Sequence, residues 1–162
     1  MSELSDLSEK VGKRLLEKNK YIATAESCSG GWVAKCLTDI AGSSGWFERG
    51  FVTYSNAAKQ ELLGVPAALL LSHGAVSEPT ALAMAQGALQ HSQAGVALAL
   101  SGIAGPGGAV PGKPVGTVCF AWCEDGGRSR VETRRFAGDR DAVRRQAVAR
   151  ALSGLLELLA DD

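Results

Sequence analysis

The chain has 162 residues, enough for one domain that buries roughly two-thirds of the surface its unfolded form exposes. Its 17 basic residues balance 17 acidic ones, so it lacks the cationic excess that drives nonspecific binding to nucleic acid or anionic membrane, and small molecules or another protein are the expected partners. No run of 18 apolar residues is present, and the first twenty residues read as an amphipathic helix instead of a signal peptide, so the expected location is the cytoplasm.

Leu4, Leu7, Val11, Leu15 and Leu16 recur at helical spacing, and Tyr21-Ile22-Ala23-Thr24 follows as a short buried strand. The strand runs into Ala25-Glu26-Ser27-Cys28-Ser29-Gly30-Gly31, after which residues 32–39 have helix-forming character and Ala41-Gly42-Ser43-Ser44-Gly45 ends them. A second strand is expected over 47–53. A short helix over 56–63 follows, capped by Asn56 and closed by Gly64, with Lys59 one turn inside. His73 falls in a polar connection. Ser77 then reads as the N-cap of a helix carrying Pro79 in its first turn and ending near His91.

Val96-Ala97-Leu98-Ala99-Leu100 is a continuous apolar run ending in Ser101-Gly102, as a central strand covered on both faces would be. A glycine- and proline-rich loop over 103–116 leads to a strand over 117–123, a hairpin turn at Asp125-Gly126-Gly127, and a strand over 130–136. A long helix is expected after Asp139, with Val143, Ala147, Ala151, Leu155 and Leu158 facing the core. Helices alternating with strands predict an α/β class: a single domain over 1–162, layered α/β/α, with a mixed, mostly parallel sheet. The four cysteines are too few for a disulfide scaffold and lack zinc spacing. Strand alternation puts Cys119 and Cys123 on one face with Ala121, as packing residues. Neither histidine sits in a triad or metal motif.

The chemistry concentrates in three loops. The segment from Ala25 to Gly31 lifts hydroxyls and a thiol out of the sheet, and unpaired amides at the start of the next helix suit an oxyanion or a phosphate; a plain helix cap has the same residue types. A hydroxyl nucleophile needs a base, and no Ser-His-Asp order is evident. Lys59, among small and apolar neighbours, is the substitute if burial lowers its pKa: an ordinary lysine is neutral only about once in 2,500 at pH 7. A solvated helix lysine is the plain alternative. The loop Ser101-Gly102-Ile103-Ala104-Gly105-Pro106-Gly107-Gly108 follows a buried strand, at the usual edge for a ligand crevice, but matches neither a P-loop nor a dinucleotide fingerprint. Asp139 suits a helix cap, and Arg140 suits either a phosphate contact or a surface salt bridge.

Seven blocks in order, Thr24 to Gly31, Ala41 to Ser44, Gly50 to Asn56 with Lys59, Gly74 to Ser77, Ser101 to Pro106, Lys113 to Val118 and Gly138-Asp139-Arg140, together resemble the CinA C-terminal domain, or nicotinamide mononucleotide (NMN) deamidase, family. The resemblance implies hydrolysis of the NMN carboxamide to nicotinic acid mononucleotide and ammonia, a step of bacterial NAD recycling, without metal or organic cofactor. It carries the nucleophile onto Ser27 and the base onto Lys59, with Tyr54 taking part nearby. Ser29, Gly30, Gly31, Ser44, Ser101, Gly102, Gly105, Gly107 and Arg140 are the expected substrate-binding positions, with backbone amides from Ser29 to Gly31 as oxyanion donors. Many members have threonine where this chain has Ser29, which leaves a second serine beside the nucleophile. Some relatives carry an N-terminal domain resembling molybdopterin-binding proteins; this chain is expected to act as a stand-alone, homo-oligomeric deamidase. Two rivals stand beside this reading: Cys28 as the nucleophile, activated at the helix start, and a non-catalytic nucleotide-binding or competence-associated interaction domain.

Overall fold

Local chemistry sets the elements of the chain, which a computed structural model describes over residues 2–160. Ser2 Oγ accepts the Ser5 amide to start α1 (Glu3–Glu17), whose Leu4, Val11 and Leu15 are buried. The remaining elements are β1 (Ile22–Glu26), α2 (Trp32–Thr38), a 3-10 turn at Ser43–Gly45, β2 (Phe47–Val52), α3 (Asn56–Leu63), α4 (Ala67–His73), α5 (Glu78–Gln90), β3 (Val96–Gly102), β4 (Thr117–Glu124), β5 (Ser129–Arg135) and α6 (Arg140–Ala160). Ser77 caps α5, Asp139 accepts the Ala142 amide at the start of α6, and Gly64 closes α3 at φ +69°.

Two expectations fail locally. The cap of α3 is Ser55, whose Oγ accepts the Ala58 amide, and Asn56 is the first helical residue. The segment after Pro66 forms α4, so His73 ends a helix instead of lying in a connection. With seven residues and only Leu70 buried, α4 is too short to display a helical period.

The five strands form one sheet in the order β2-β1-β3-β4-β5, in which β1 pairs parallel with both β2 and β3, and β4 and β5 add antiparallel pairings. Helices cover both faces, giving the layered α/β/α arrangement. Alternation assigns large side chains to one face: Ile22, Val96, Leu98, Leu100, Phe120 and Trp122 pack in one core with residues of α1, α2 and α6. The other face is built from Ala23, Ala25, Ala97, Ala99, Cys119, Ala121 and Cys123 against Ala81, Met84, Ala85 and Ala88 of α5. Small residues on the second face let α5 lie close to the sheet. On the first face Trp122 stacks on Phe120 and donates Nε1–H to the Ala151 carbonyl at 2.9 Å, and a Cβ at Gly154 of α6 would overlap its ring.

The chain leaves β1 through α2 to reach β2 on one side, then crosses through α3, α4 and α5 to β3 on the other side of β1. The carboxyl end of β1 is therefore a topological switch point, where the connections diverge and leave a crevice. Ser27 follows β1, Thr53 and Tyr54 follow β2, and Ser101 and Gly102 end β3, so all of them converge there.

Candidate active site

A cavity of about 200 Å³ opens at this switch point, lined by Ser27, Cys28, Tyr54, Lys59, Ala75, Val76, Ser101, Gly102, Ala104 and Arg140. At its floor Lys59 Nζ lies 2.9 Å from Ser27 Oγ, 2.9 Å from the Thr53 carbonyl oxygen and 3.2 Å from the Tyr54 carbonyl oxygen. The lysine is 1% exposed and, among the described residues, pairs with no carboxylate. Burial therefore disfavours its ammonium and holds its pKa below the ordinary lysine value; the nearby Cys28 acts the other way with smaller effect. The two carbonyls accept two N–H bonds, so the remaining tetrahedral position of Nζ faces Ser27 Oγ, where the neutral form of the amine would carry its lone pair. This arrangement can take a proton from a serine.

The loop after Ser27 is held from two directions. Glu26, fully buried at the end of β1, accepts Ser29 Oγ–H at 2.6 Å and the α2 amides of Val33 at 2.9 Å and Ala34 at 3.0 Å. A carboxylate of the chain thus occupies the anion position at the start of α2, so the Val33 and Ala34 amides are not open to an oxyanion or phosphate. From the other side Arg144 of α6 donates Nε–H to the Cys28 carbonyl at 3.0 Å and Nη2–H to the Ser29 carbonyl at 3.2 Å. The Gly30 amide donates to the Ser27 carbonyl at 3.1 Å, so it is not a free oxyanion donor. Among the described residues, the amides of Cys28 and Ser29 donate to no backbone or side-chain oxygen.

The other predicted positions divide. Ser101 is buried, lines the cavity and makes no side-chain hydrogen bond among the described residues. Gly102 also lines it, and a Cβ there would crowd Val118 and the Thr117 carbonyl. Arg140 reaches the rim, where it donates to the Gly105 carbonyl at 2.8 Å and the Tyr54 hydroxyl at 3.2 Å; it forms no salt bridge among the described residues. The Tyr54 ring is exposed, and it is the backbone carbonyl of this residue that touches Lys59. Ser29, Gly30 and Gly31 line a neighbouring shallow depression with Trp32, Lys35 and Arg144, and the Ser29 hydroxyl is committed to Glu26. Gly107 is exposed and outside the cavity. Ser44 is not brought to the site: it precedes β2, whose first residue pairs with Ile22, so it lies at the opposite edge of the sheet from Ser27, roughly 15 Å away along β1.

Glu26, Arg144, Ala75, Val76 and the Thr53 carbonyl are site components that residue types alone did not single out. The block Gly74 to Ser77 was the available signal for Ala75 and Val76.

A sequence model of the CinA C-terminal domain matches residues 4–159. The chain belongs to the CinA C-terminal domain family. Nicotinamide-nucleotide amidohydrolase PncC of Escherichia coli K12 is 57% identical to this CinA-type domain over 154 residues, covering 95% of this chain and 93% of that protein. A putative competence-damage inducible protein of Symbiobacterium thermophilum is 54% identical over 94% of this chain, which there amounts to 38% of a longer protein. The crystal structure of the competence/damage inducible protein CihA from Agrobacterium tumefaciens superposes with a TM-score of 0.95 at 42% identity, over 98% of this chain and 96% of that one.

In this CinA-type domain the thiol beside the serine is poorly suited to attack. Burial, reinforced by the Glu26 carboxylate, pushes the Cys28 pKa up to about 12, so it stays protonated at neutral pH and the expected activation at the helix start does not occur. No helix among the described residues is long and apolar enough to cross a membrane.

Proposed function

We propose that the chain is a nicotinamide-nucleotide amidohydrolase that converts NMN and water to nicotinic acid mononucleotide and ammonia, with Ser27 as nucleophile and Lys59 as base. The observation that carries this reading is a buried lysine amine, paired with no carboxylate among the described residues, 2.9 Å from a serine hydroxyl in the switch-point cavity. The name and high identity of the Escherichia coli relative support the substrate.

Neutral Lys59 takes the Ser27 proton as Oγ attacks the carboxamide carbon, and the carbonyl oxygen becomes an oxyanion. The Lys59 ammonium then protonates the amide nitrogen, the C–N bond breaks, and ammonia leaves an acyl ester on Ser27. Water, deprotonated by Lys59, adds to the ester. Ester cleavage returns a proton to Ser27 Oγ and releases the carboxylate. The two carbonyls around Nζ keep the amine aimed at Oγ through these exchanges. The Ser101 hydroxyl, without a hydrogen-bond partner among the described residues, suits the carboxamide or the attacking water. Arg140, held at the rim by Tyr54 and Gly105, suits the 5′-phosphate.

We further propose a cytoplasmic homo-oligomer acting on this small molecule, with no nucleic-acid or membrane partner; light scattering on the purified protein reads the assembly. The functional test is incubation with NMN, without added metal, following ammonia and nicotinic acid mononucleotide, with Ser27→Ala alongside. Product from wild type and none from the variant is expected. Tight NMN binding without ammonia release would instead favour a non-catalytic nucleotide-binding domain.

A further inference from the structure

We propose that Arg144 is a positioning residue that acts through two peptide groups to present the Cys28 amide N–H to the cavity as the oxyanion donor; this rests on the hydrolase reading above. The C=O and N–H of a trans peptide point in opposite directions. Arg144 Nη2 holds the Ser29 carbonyl at 3.2 Å, which turns the N–H of the same peptide, that of Gly30, away from the guanidinium and onto the Ser27 carbonyl at 3.1 Å. The Ser27 carbonyl in turn shares its peptide with the Cys28 N–H. That N–H therefore points away from Gly30, and it has no acceptor among the described residues. Cys28 lines the cavity beside Ser27, so the open end of the relay faces the place where charge develops. An amide immediately after the nucleophile serves this purpose in other serine hydrolases.

The second arm of the fork, Nε–H to the Cys28 carbonyl at 3.0 Å, fixes the intervening peptide, so neither plane after Ser27 can rotate alone. The guanidinium also lies 5.7 Å from the Trp32 ring centroid, which braces it from outside the loop. Each hydrogen bond in such a row polarises the next, so a full positive charge at one end strengthens the donor at the other. Arg144 is not itself among the residues that line the cavity, so its effect reaches the reaction through the loop.

The test compares wild type, Arg144→Ala and Arg144→Lys in kcat and KM for NMN, and in NMN Kd by calorimetry, each variant being paired with Ser27→Ala for the binding measurement. An oxyanion forms only on the path to product, so Arg144→Ala is expected to lower kcat by about 10²-fold while KM and Kd stay within about threefold. A single ammonium does not reproduce the fork, so Arg144→Lys should lie nearer to the alanine variant than to wild type. The Cys28 and Gly30 amide resonances in ¹⁵N-labelled protein, which need no turnover, should shift in both variants. A kcat within about threefold of wild type overturns the proposal, as does joint loss of binding and kcat, which marks a merely structural role. Unmoved Cys28 and Gly30 resonances overturn it whether or not the wild type releases ammonia. Absence of product from wild type, with those resonances shifted, refutes the hydrolase reading and leaves the loop-positioning claim standing.

Discussion

Replacing Lys59 with methionine separates the chemistry of the amine from the volume of its side chain. Methionine is unbranched and of similar length, so it can follow the same buried path to the cavity floor while offering no proton acceptor. Among the described residues Nζ has three partners, Ser27 Oγ and the carbonyls of Thr53 and Tyr54, and no histidine or carboxylate lines the cavity. General acid–base assistance is worth about 10²–10⁴ in rate, and Lys59 serves four proton transfers, so kcat is expected to fall by at least about 10³-fold, or about 4 kcal/mol of barrier. The assay is ammonia release at saturating NMN, with circular dichroism melting to verify the fold. In the wild type, kcat/KM should rise with pH as the amine loses its proton and level off above a pKa lower than the ordinary lysine value of 10.5, because burial disfavours the ammonium. The same shift links to stability. With the folded pKa depressed, the unfolded chain holds the extra proton between the two values, so the stability contribution is full above 10.5 and is lost as pH falls through the folded pKa. Lys59→Met should flatten that part of the profile in urea melts across this range. Retention of more than about a tenth of wild-type kcat by a folded Lys59→Met protein would refute the general-base role.

Glu26→Gln keeps the size of the buried side chain but sets an amide N–H against one of the donors it now accepts, so a loss of about 1–3 kcal/mol is expected in denaturant melts; a variant as stable as wild type contradicts the capping role. Arg140→Ala should raise KM for NMN by about tenfold with kcat little changed, and leave the phosphate-free nicotinamide riboside unaffected; equal effects on both substrates would remove the phosphate from the account. Cys28→Ala should retain at least about a third of wild-type kcat, since the buried thiol stays protonated; an inactive but folded variant would return the thiol to the mechanism.

Local rules carried the parts of the fold that depend on neighbours in sequence. Ser77 and Asp139 were legible as caps, Gly64 as a helix stop, and the run from Val96 to Leu100 as a strand covered on both faces. The α4 helix was not, because seven residues with one buried position leave no period to read. On residue type alone Lys59 reads more readily as a solvated helix lysine than as a base. Its burial follows from its sharing an inward face with Leu63, four residues on, a spacing visible beforehand but decisive only once the helix is docked. The Ser27–Lys59 pair came through resemblance, since no spacing rule predicts contact across 32 residues. Resemblance also has a limit here: it marked Ser44, which the parallel pairing of β1 and β2 carries to the far edge of the sheet. Residue type does not reveal the roles of Glu26 and Arg144, because most of their partners are backbone groups, positioned by a loop conformation and, for Arg144, by a helix 116 residues away.

The most direct test of the account is to look for the acyl-enzyme itself. Wild-type protein and Cys28→Ala would be mixed with NMN, quenched in acid during turnover, and examined by intact-mass and peptide mass spectrometry. The account predicts, in both proteins, an adduct equal to NMN less ammonia on the peptide carrying Ser27, and no adduct in Ser27→Ala. An adduct that persists in Ser27→Ala, or that disappears with Cys28, would contradict it.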